Sequence, residues 1–93
     1  MRQEPEHFGD QELDLVYVAK RLKEALRLEQ VFTDAGVDYL VEPDRYTGGV
    51  IFRSERIGAF FYVVPEIAPT ARELMAREGF KPYQSQNETG KLL

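Results

Sequence analysis

The strongest candidate for binding chemistry in this 93-residue chain is the segment from Asp44 to Gly49, DRYTGG. Adjacent glycines let backbone N–H groups approach an anion, and cationic and hydroxyl side chains stand beside them. The candidate ligand-binding residues are Arg45, Tyr46, Thr47, Gly48, Gly49 and Arg53. Because neither of the common nucleotide-binding glycine motifs is present, a plain hairpin connection is the simpler interpretation of the glycine pair.

No combination of side chains in the sequence predicts catalysis or a metal site. The chain has no Cys, which excludes a thiolate nucleophile, a disulfide and a thiolate metal site. His7 is the only His, and neither Ser54 nor Ser85 has a His near it in the sequence. No pair of carboxylates stands in a context that would make one an acid and the other a base. We therefore predict no catalytic residue, no metal site and no cofactor.

Nucleic-acid binding is disfavoured by both charge and motif. The net charge is −4, and the excess of acidic residues lies before Leu15, whereas nucleic-acid binding needs a concentrated basic surface. The segments 16–19 (VYVA) and 56–63 (RIGAFFYV) are similar to the two sheet motifs of RNA-recognition domains. The second motif needs Gly and then an aromatic residue after its basic residue, but Ile57 and Gly58 stand there. RNA binding is therefore the least favoured alternative.

Hydrophobic periodicity divides the chain into short strands and two helices. Apolar residues recur at helical spacing from Lys20 to Ala35, and Gly36 supplies a helix end. The predicted elements are the strand Leu13–Val18, the helix Lys20–Ala35, the strand Val37–Glu42, the strand Val50–Arg53, the turn Ser54–Gly58, the strand Ala59–Val64, the helix Glu66–Glu78 and an optional short strand Phe80–Gln84.

This order, β-α-β-β-β-α with an optional last strand, predicts an α+β fold. We expect a ferredoxin-like two-layer sandwich in which two helices cover one face of an antiparallel sheet. Residues 1–12 are predicted to be an acidic flexible arm that folding does not require, residues 13–84 a single ferredoxin-like domain, and residues 85–93 a flexible tail. A composition of 43% hydrophobic residues is sufficient for one core.

The sequence predicts a cytoplasmic protein without membrane contact. The longest apolar run, Ala59–Val64, is far too short to span a bilayer. The first residues lack the basic start and apolar stretch of a signal peptide.

Two segments of the chain resemble a known family. The first is Lys23–Val37, KEALRLEQVFTDAGV, and the second lies at the start of the second predicted helix. The matching residues are Glu24, Ala25, Val31, Phe32, Gly36 and Val37 in the first segment, and Val63, Val64, Pro65 and Glu66 in the second. On these residues the chain resembles a family of small prokaryotic signal-transducing proteins with a ferredoxin-like, PII-like fold. The resemblance implies that fold. Family members often carry Asn just before the first helix, where this chain has Arg21, so no ligand role is implied for that position.

The first helix and the following PDRYTGG segment are also similar to a family of small sulfur or selenium carriers. The loop of that family holds a Cys beside the glycines, whereas this chain has Gly48 and Gly49 there and no Cys. Without a thiolate no group can carry the chalcogen, so the resemblance does not imply carrier activity.

The predicted strands do not alternate apolar with polar residues, as strands with one solvated face do. On the first and fourth strands, Leu15 and Tyr17 oppose Val16 and Val18, while Ala59, Phe61 and Val63 oppose Phe60, Tyr62 and Val64. A sheet face without helices would then expose an apolar patch on the order of several hundred Å², more than a soluble monomer usually has. We therefore predict a homodimer, or a larger homo-oligomer, joined through that face. The sequence leaves open which of Phe60 and Phe61 points outward.

These features favour a non-enzymatic regulatory or interaction module that works as a homo-oligomer and binds a small anion or a protein partner. The alternatives are a small enzyme or enzyme subunit whose pocket forms at the subunit interface, and an RNA-binding domain.

Overall fold

The computed structural model describes residues 1–48 and 54–81. Within them the elements are α1 (Pro5–Phe8), β1 (Asp14–Ala19), α2 (Leu22–Asp34), β2 (Leu40–Gly48), β3 (Ser54–Val63) and α3 (Ala68–Arg77). The α+β class of the prediction is confirmed, with a three-stranded antiparallel sheet. The predicted strand Val50–Arg53, residues 82–84 of the optional last strand and the predicted tail lie outside the described residues.

The strands are arranged in the order β1-β3-β2, and both pairings are antiparallel. β1 and β2 therefore run parallel to each other with β3 between them, and α2 connects the two parallel strands. The helix predicted after β1 is confirmed, and it ends before Gly36, which has a φ of 74° that glycine adopts without strain. The second predicted helix corresponds to α3. No helix in the described parts of the chain is long and apolar enough to cross a membrane.

The predicted turn at Ser54–Gly58 is wrong. β3 runs without interruption from Ser54 to Val63, and its first half pairs with the second half of β2. β1 ends at Ala19, opposite Ala59, so beyond that point no third strand among the described residues pairs with the hairpin. We call residues 44–48 and 54–58 the ribbon. Arg45, Arg56 and Ile57 of the ribbon are exposed, whereas Gly58 is buried against the end of β1. The ribbon therefore lacks a regular alternation of apolar and polar residues, and its sequence has the composition of a turn.

β1 contains a β-bulge between Leu15 and Tyr17, which leaves Val16 as the extra residue opposite β3. The extra residue shifts the alternation of side chains by one position. Val16 is fully buried beneath the helices, and Tyr17 packs against the same core. Leu15 and Val18 consequently share the other face. The predicted grouping of Leu15 with Tyr17 on one face is therefore wrong.

One hydrophobic core holds α2 and α3 against the sheet. Its members include Ala25, Leu28 and Phe32 of α2, Ala71 and Met75 of α3, and Val16, Phe61 and Val63 of the sheet. The rings of Tyr39 and Phe61 stack with their centroids 5.8 Å apart, and Phe32 contacts both. Phe61 is 0% exposed, whereas Phe60 is partly exposed. Phe61 therefore faces the helices and Phe60 faces away from them.

Residues 1–12, predicted to be a loose arm, make backbone contacts with the sheet. The backbone N–H of Tyr39 donates to the carbonyl of Met1 at 3.1 Å, and the N–H of Gln3 donates to the carbonyl of Tyr39 at 2.8 Å. Arg2 thereby forms a parallel bridge with Tyr39, just before β2. α1 follows, and Phe8 at its end is only 9% exposed. The flexibility of this segment in solution and the predicted domain boundaries stay predictions.

Candidate functional site

The structure separates two of the candidate ligand-binding residues. Arg45 and Tyr46 are consecutive residues of β2, so their side chains point to opposite faces of the ribbon. One ligand would have to reach around the strand to contact both side chains. Thr47 and Gly48 end β2, and Gly49 and Arg53 lie outside the described residues. Anion binding by this segment stays a prediction.

The sheet face that α2 and α3 do not cover carries apolar side chains from all three strands. The register places Leu15, Val18, Leu40, Phe60 and Tyr62 on it, and we call these residues the open face. Leu40 is buried, and the other four are partly exposed. The apolar face that the sequence predicted is thus present. Its use in a homodimer stays a prediction.

The two margins of the open face carry opposite charges. Glu42 and Asp44 lie along β2 on this face and form its acidic margin. Burial raises the pKa of the Tyr62 hydroxyl, and the charges of these two carboxylates raise it further. At the end of β1, the ammonium group of Lys20 lies 5.5 Å from the centre of the Tyr46 ring. Lys20 forms the basic margin.

Gly58 allows the ring of Tyr46 to cross β3. A Cβ atom at this position would lie 3.1 Å from a ring carbon of Tyr46, from the Cγ1 of Val18 and from the carbonyl oxygen of Ala19. Because Gly58 has no side chain, Tyr46 of β2 reaches across the sheet to the end of β1. The glycine therefore serves close packing within a strand and not a turn.

A hollow of about 270 Å³ lies on the other side of the sheet, where α2 begins. Its apolar lining includes Ala25 of α2, Val41 of β2 and Ala59 of β3. Two large aliphatic side chains stand on its walls, Leu22 on α2 and Ile57 on the ribbon. They are 75% and 70% exposed, respectively.

Three cationic residues, Arg2, Lys20 and Arg21, also line this hollow, which we call the basic groove. No Asp or Glu is among the described residues that line it. The guanidinium of Arg2 lies 3.7 Å from the carboxylate of Glu29, which also accepts a hydrogen bond of 3.0 Å from the hydroxyl of Tyr39. Arg21 forms no salt bridge with any other residue in the described ranges.

The sequence alone does not predict the basic groove, because Arg2 is distant in the chain from Lys20 and Arg21. Arg2 belongs to the segment that was predicted to be a loose arm, and it reaches the groove through its bridge to Tyr39. Arg21 stands directly before α2. No sequence signal identifies the groove, because Leu22 belongs to the apolar period of the predicted helix and its exposure is known only from the structure.

A polar and aromatic cluster closes the outer edge of β1. Burial, together with a hydrogen bond to Glu24, raises the pKa of the Tyr17 hydroxyl to about 12. The ring of Phe80 meets the ring of Tyr17 edge to face at 5.4 Å. Arg27 lies over the Phe80 ring and donates a hydrogen bond of 2.6 Å to the carbonyl of Glu78. These contacts fasten the residues after α3 to β1 and have a structural role.

Within residues 1–48 and 54–81, no group of three or more His, Asp or Glu side chains could hold a metal ion. Comparison with protein-family models, curated proteins and solved structures finds no match to this chain. The resemblances to PII-like proteins and to sulfur or selenium carriers therefore stay predictions.

Proposed function

We propose that this protein is a non-enzymatic interaction module with a ferredoxin-like fold that works as a homodimer joined through the open face. The observation that carries the proposal is the open face itself, where three strands present apolar side chains that neither α2 nor α3 covers. The insertion of β3 between the parallel strands β1 and β2 supports the ferredoxin-like assignment, because this is the split β-α-β arrangement of that fold.

Burial of apolar area provides the driving force for association. Phe60 and Tyr62 stand next to each other on this face of the central strand, with Leu15 and Val18 of β1 beside them. Both side chains are already partly buried in the single chain, so only the area that is still exposed drives association, at about 25 cal/mol per Å². A second sheet packed face to face, about 10 Å away, would cover all four side chains at once.

The charged margins favour a second copy of this chain as the partner. A two-fold axis parallel to the strands exchanges the β1 side with the β2 side and keeps each position along the strands. Glu42 lies opposite Phe60, which lies opposite Val18, so the acidic and basic margins occur at similar heights on the sheet. In such a dimer Asp44 of each copy approaches Lys20 of the other. Complementary charges of this kind select partner and orientation.

Light scattering coupled to size-exclusion chromatography tests the proposal. At micromolar concentration we expect a mass twice the 10.7 kDa of one chain. Phe60→Asp should give a monomer, because it places a carboxylate in the buried centre of the interface. The matched control is Ile57→Asp, which makes the same change on the same strand but on the opposite face, and it should remain a dimer.

A charge exchange keeps the test decisive if Phe60→Asp does not fold. Lys20→Glu and Asp44→Lys should each weaken the dimer, and the double variant should restore it, because the exchanged charges again face each other across the two-fold axis. A monomeric parent protein would refute the proposal. So would a dimer that Ile57→Asp dissociates and Phe60→Asp leaves intact.

A further inference from the structure

We infer that the basic groove is a binding site for an amphipathic carboxylate, that is, a carboxylate joined to a short acyl chain or a single ring. The groove lies on the helix side of the sheet, whereas the proposed dimer uses the open face. The inference therefore does not depend on the dimer.

The groove has room for a small molecule. Its volume is about 270 Å³, whereas an apolar cavity of about 150 Å³ is sufficient to bind benzene. The groove is open to solvent, so a ligand can enter without a change in the backbone. Ala25, Val41 and Ala59 provide an apolar surface against which a short chain or a ring can pack.

The two exposed aliphatic side chains indicate that part of the ligand is apolar. Leu22 of α2 and Ile57 of the ribbon both line the groove, and each is more than two-thirds exposed. Scattered surface residues of this type need no explanation, but here two of them border one hollow. An apolar body held between them would remove both side chains from water.

The cationic residues of the groove indicate that the ligand carries a negative charge. The chain as a whole has a net charge of −4, yet the groove combines three cationic residues with no carboxylate among the described residues that line it. The ammonium of Lys20 is directed toward the ring of Tyr46, and the guanidinium of Arg2 lies 3.7 Å from the carboxylate of Glu29. Among the described residues that line the groove, Arg21 is therefore the cation with neither a salt bridge nor a contact to an aromatic ring. A planar guanidinium matches a carboxylate with two parallel hydrogen bonds.

Cations at the start of α2 are unfavourable unless an anion binds beside them. Lys20 and Arg21 stand at the start of α2, where the helix dipole already places partial positive charge, and no side chain caps this end. Among the first residues of α2 only Glu24 is acidic, and its carboxylate accepts a hydrogen bond of 3.3 Å from the backbone of Lys20. A bound carboxylate would offset the remaining positive charge.

Hexanoate and phenylacetate are suitable probes, with hexanamide and hexylamine as neutral and cationic controls. In nuclear magnetic resonance titrations of the isotope-labelled full chain, we expect saturable shifts of the Val41, Gly58 and Ala59 amides with at least one of the two acids. Hexanamide should bind about tenfold or more weakly, the loss expected for a hydrogen bond to a charged group. Hexylamine should cause no saturable shift.

Matched variants separate the site from general surface charge. Arg21→Gln should weaken binding of the acid by about tenfold, whereas Lys23→Gln, which removes a neighbouring cation outside the groove, should leave it unchanged. Ile57→Ser should also weaken binding. The inference is refuted if neither acid gives saturable shifts, if hexylamine binds as well as the acid, if Arg21→Gln and Lys23→Gln have equal effects, or if the shifts map to Phe60 and Tyr62.

Discussion

Replacing Gly58 by Ala tests the close packing under the Tyr46 ring. The added methyl carbon would stand 3.1 Å from one atom each of Tyr46, Val18 and Ala19. The first two atoms belong to side chains that can shift. The third is a backbone carbonyl oxygen of β1, which can move only if the pairing of β1 with β3 is disturbed. The site therefore cannot relax fully around the new methyl group.

Two effects of opposite sign determine the expected change in stability. Adding a methyl group to a tightly packed site costs about 1–3 kcal/mol. Replacing Gly by Ala also restricts the unfolded chain, which stabilises the protein by about 0.4–1 kcal/mol. Gly58 is not among the described glycines with positive φ, so no backbone strain is added. The net expectation is a loss of about 1–2 kcal/mol, and each kcal/mol lowers the Tm by about 4–8 °C in a domain of this size.

Urea unfolding followed by circular dichroism measures this loss. The control is the same substitution in a Tyr46→Ala background, compared in a double-mutant cycle. Removal of the ring takes away one of the three close contacts, so the cost of the methyl group should decrease. It should not vanish, because the carbonyl of Ala19 remains. A Gly58→Ala protein that is as stable as the parent would refute the reasoning.

Three further predictions concern other parts of the fold. Phe8→Ala should lower the free energy of unfolding, measured in urea, by about 1.5–3 kcal/mol, because this ring is buried. The control variant Glu6→Ala should not lower it. Equal stability of the two variants would support a loose arm. The contribution of Tyr17 to stability is complete below pH 10 and should be lost between pH 10 and 12, because its pKa is raised from 10.0 to about 12 in the folded protein. Tyr17→Phe should flatten this part of the stability curve, and an unchanged slope would contradict the assignment. Gly36→Ala should lower the free energy of unfolding by about 1 kcal/mol or more, because the φ of 74° disfavours a side chain. A higher Tm of the variant in a thermal scan would contradict this prediction.

The helices could be predicted from the sequence because local signals determine them. In α2, Ala25, Leu28 and Phe32 recur at helical spacing, and all three are buried in the core. Gly36 marks the end of the helix with a conformation that few other residues adopt. Both signals lie within one short segment and need no knowledge of the rest of the chain.

The strands were harder to predict because their pairing depends on distant residues. Leu15, Val16, Tyr17 and Val18 are all apolar or aromatic, so the sequence gives no sign of a bulge that changes which of them face the core. In the ribbon, the consecutive residues Arg56 and Ile57 lie on opposite faces and are both exposed, so the alternation that usually identifies a strand is absent. The basic groove was missed for a related reason, since only the bridge at Arg2 brings that residue near the start of α2.

The position of β3 between its two partners also determines an order of assembly. Few residues separate Gly48 from Ser54, so pairing of β2 with β3 closes a short loop at low entropic cost. β1 must pair with the same strand across a much longer stretch of chain, which contains all of α2 and β2. Non-local pairing of this kind slows folding. We therefore expect the docking of β1 to be the slow event. Until it docks, one edge of β3 stays free to pair with another copy of the chain, so newly made protein is most prone to aggregate at that stage.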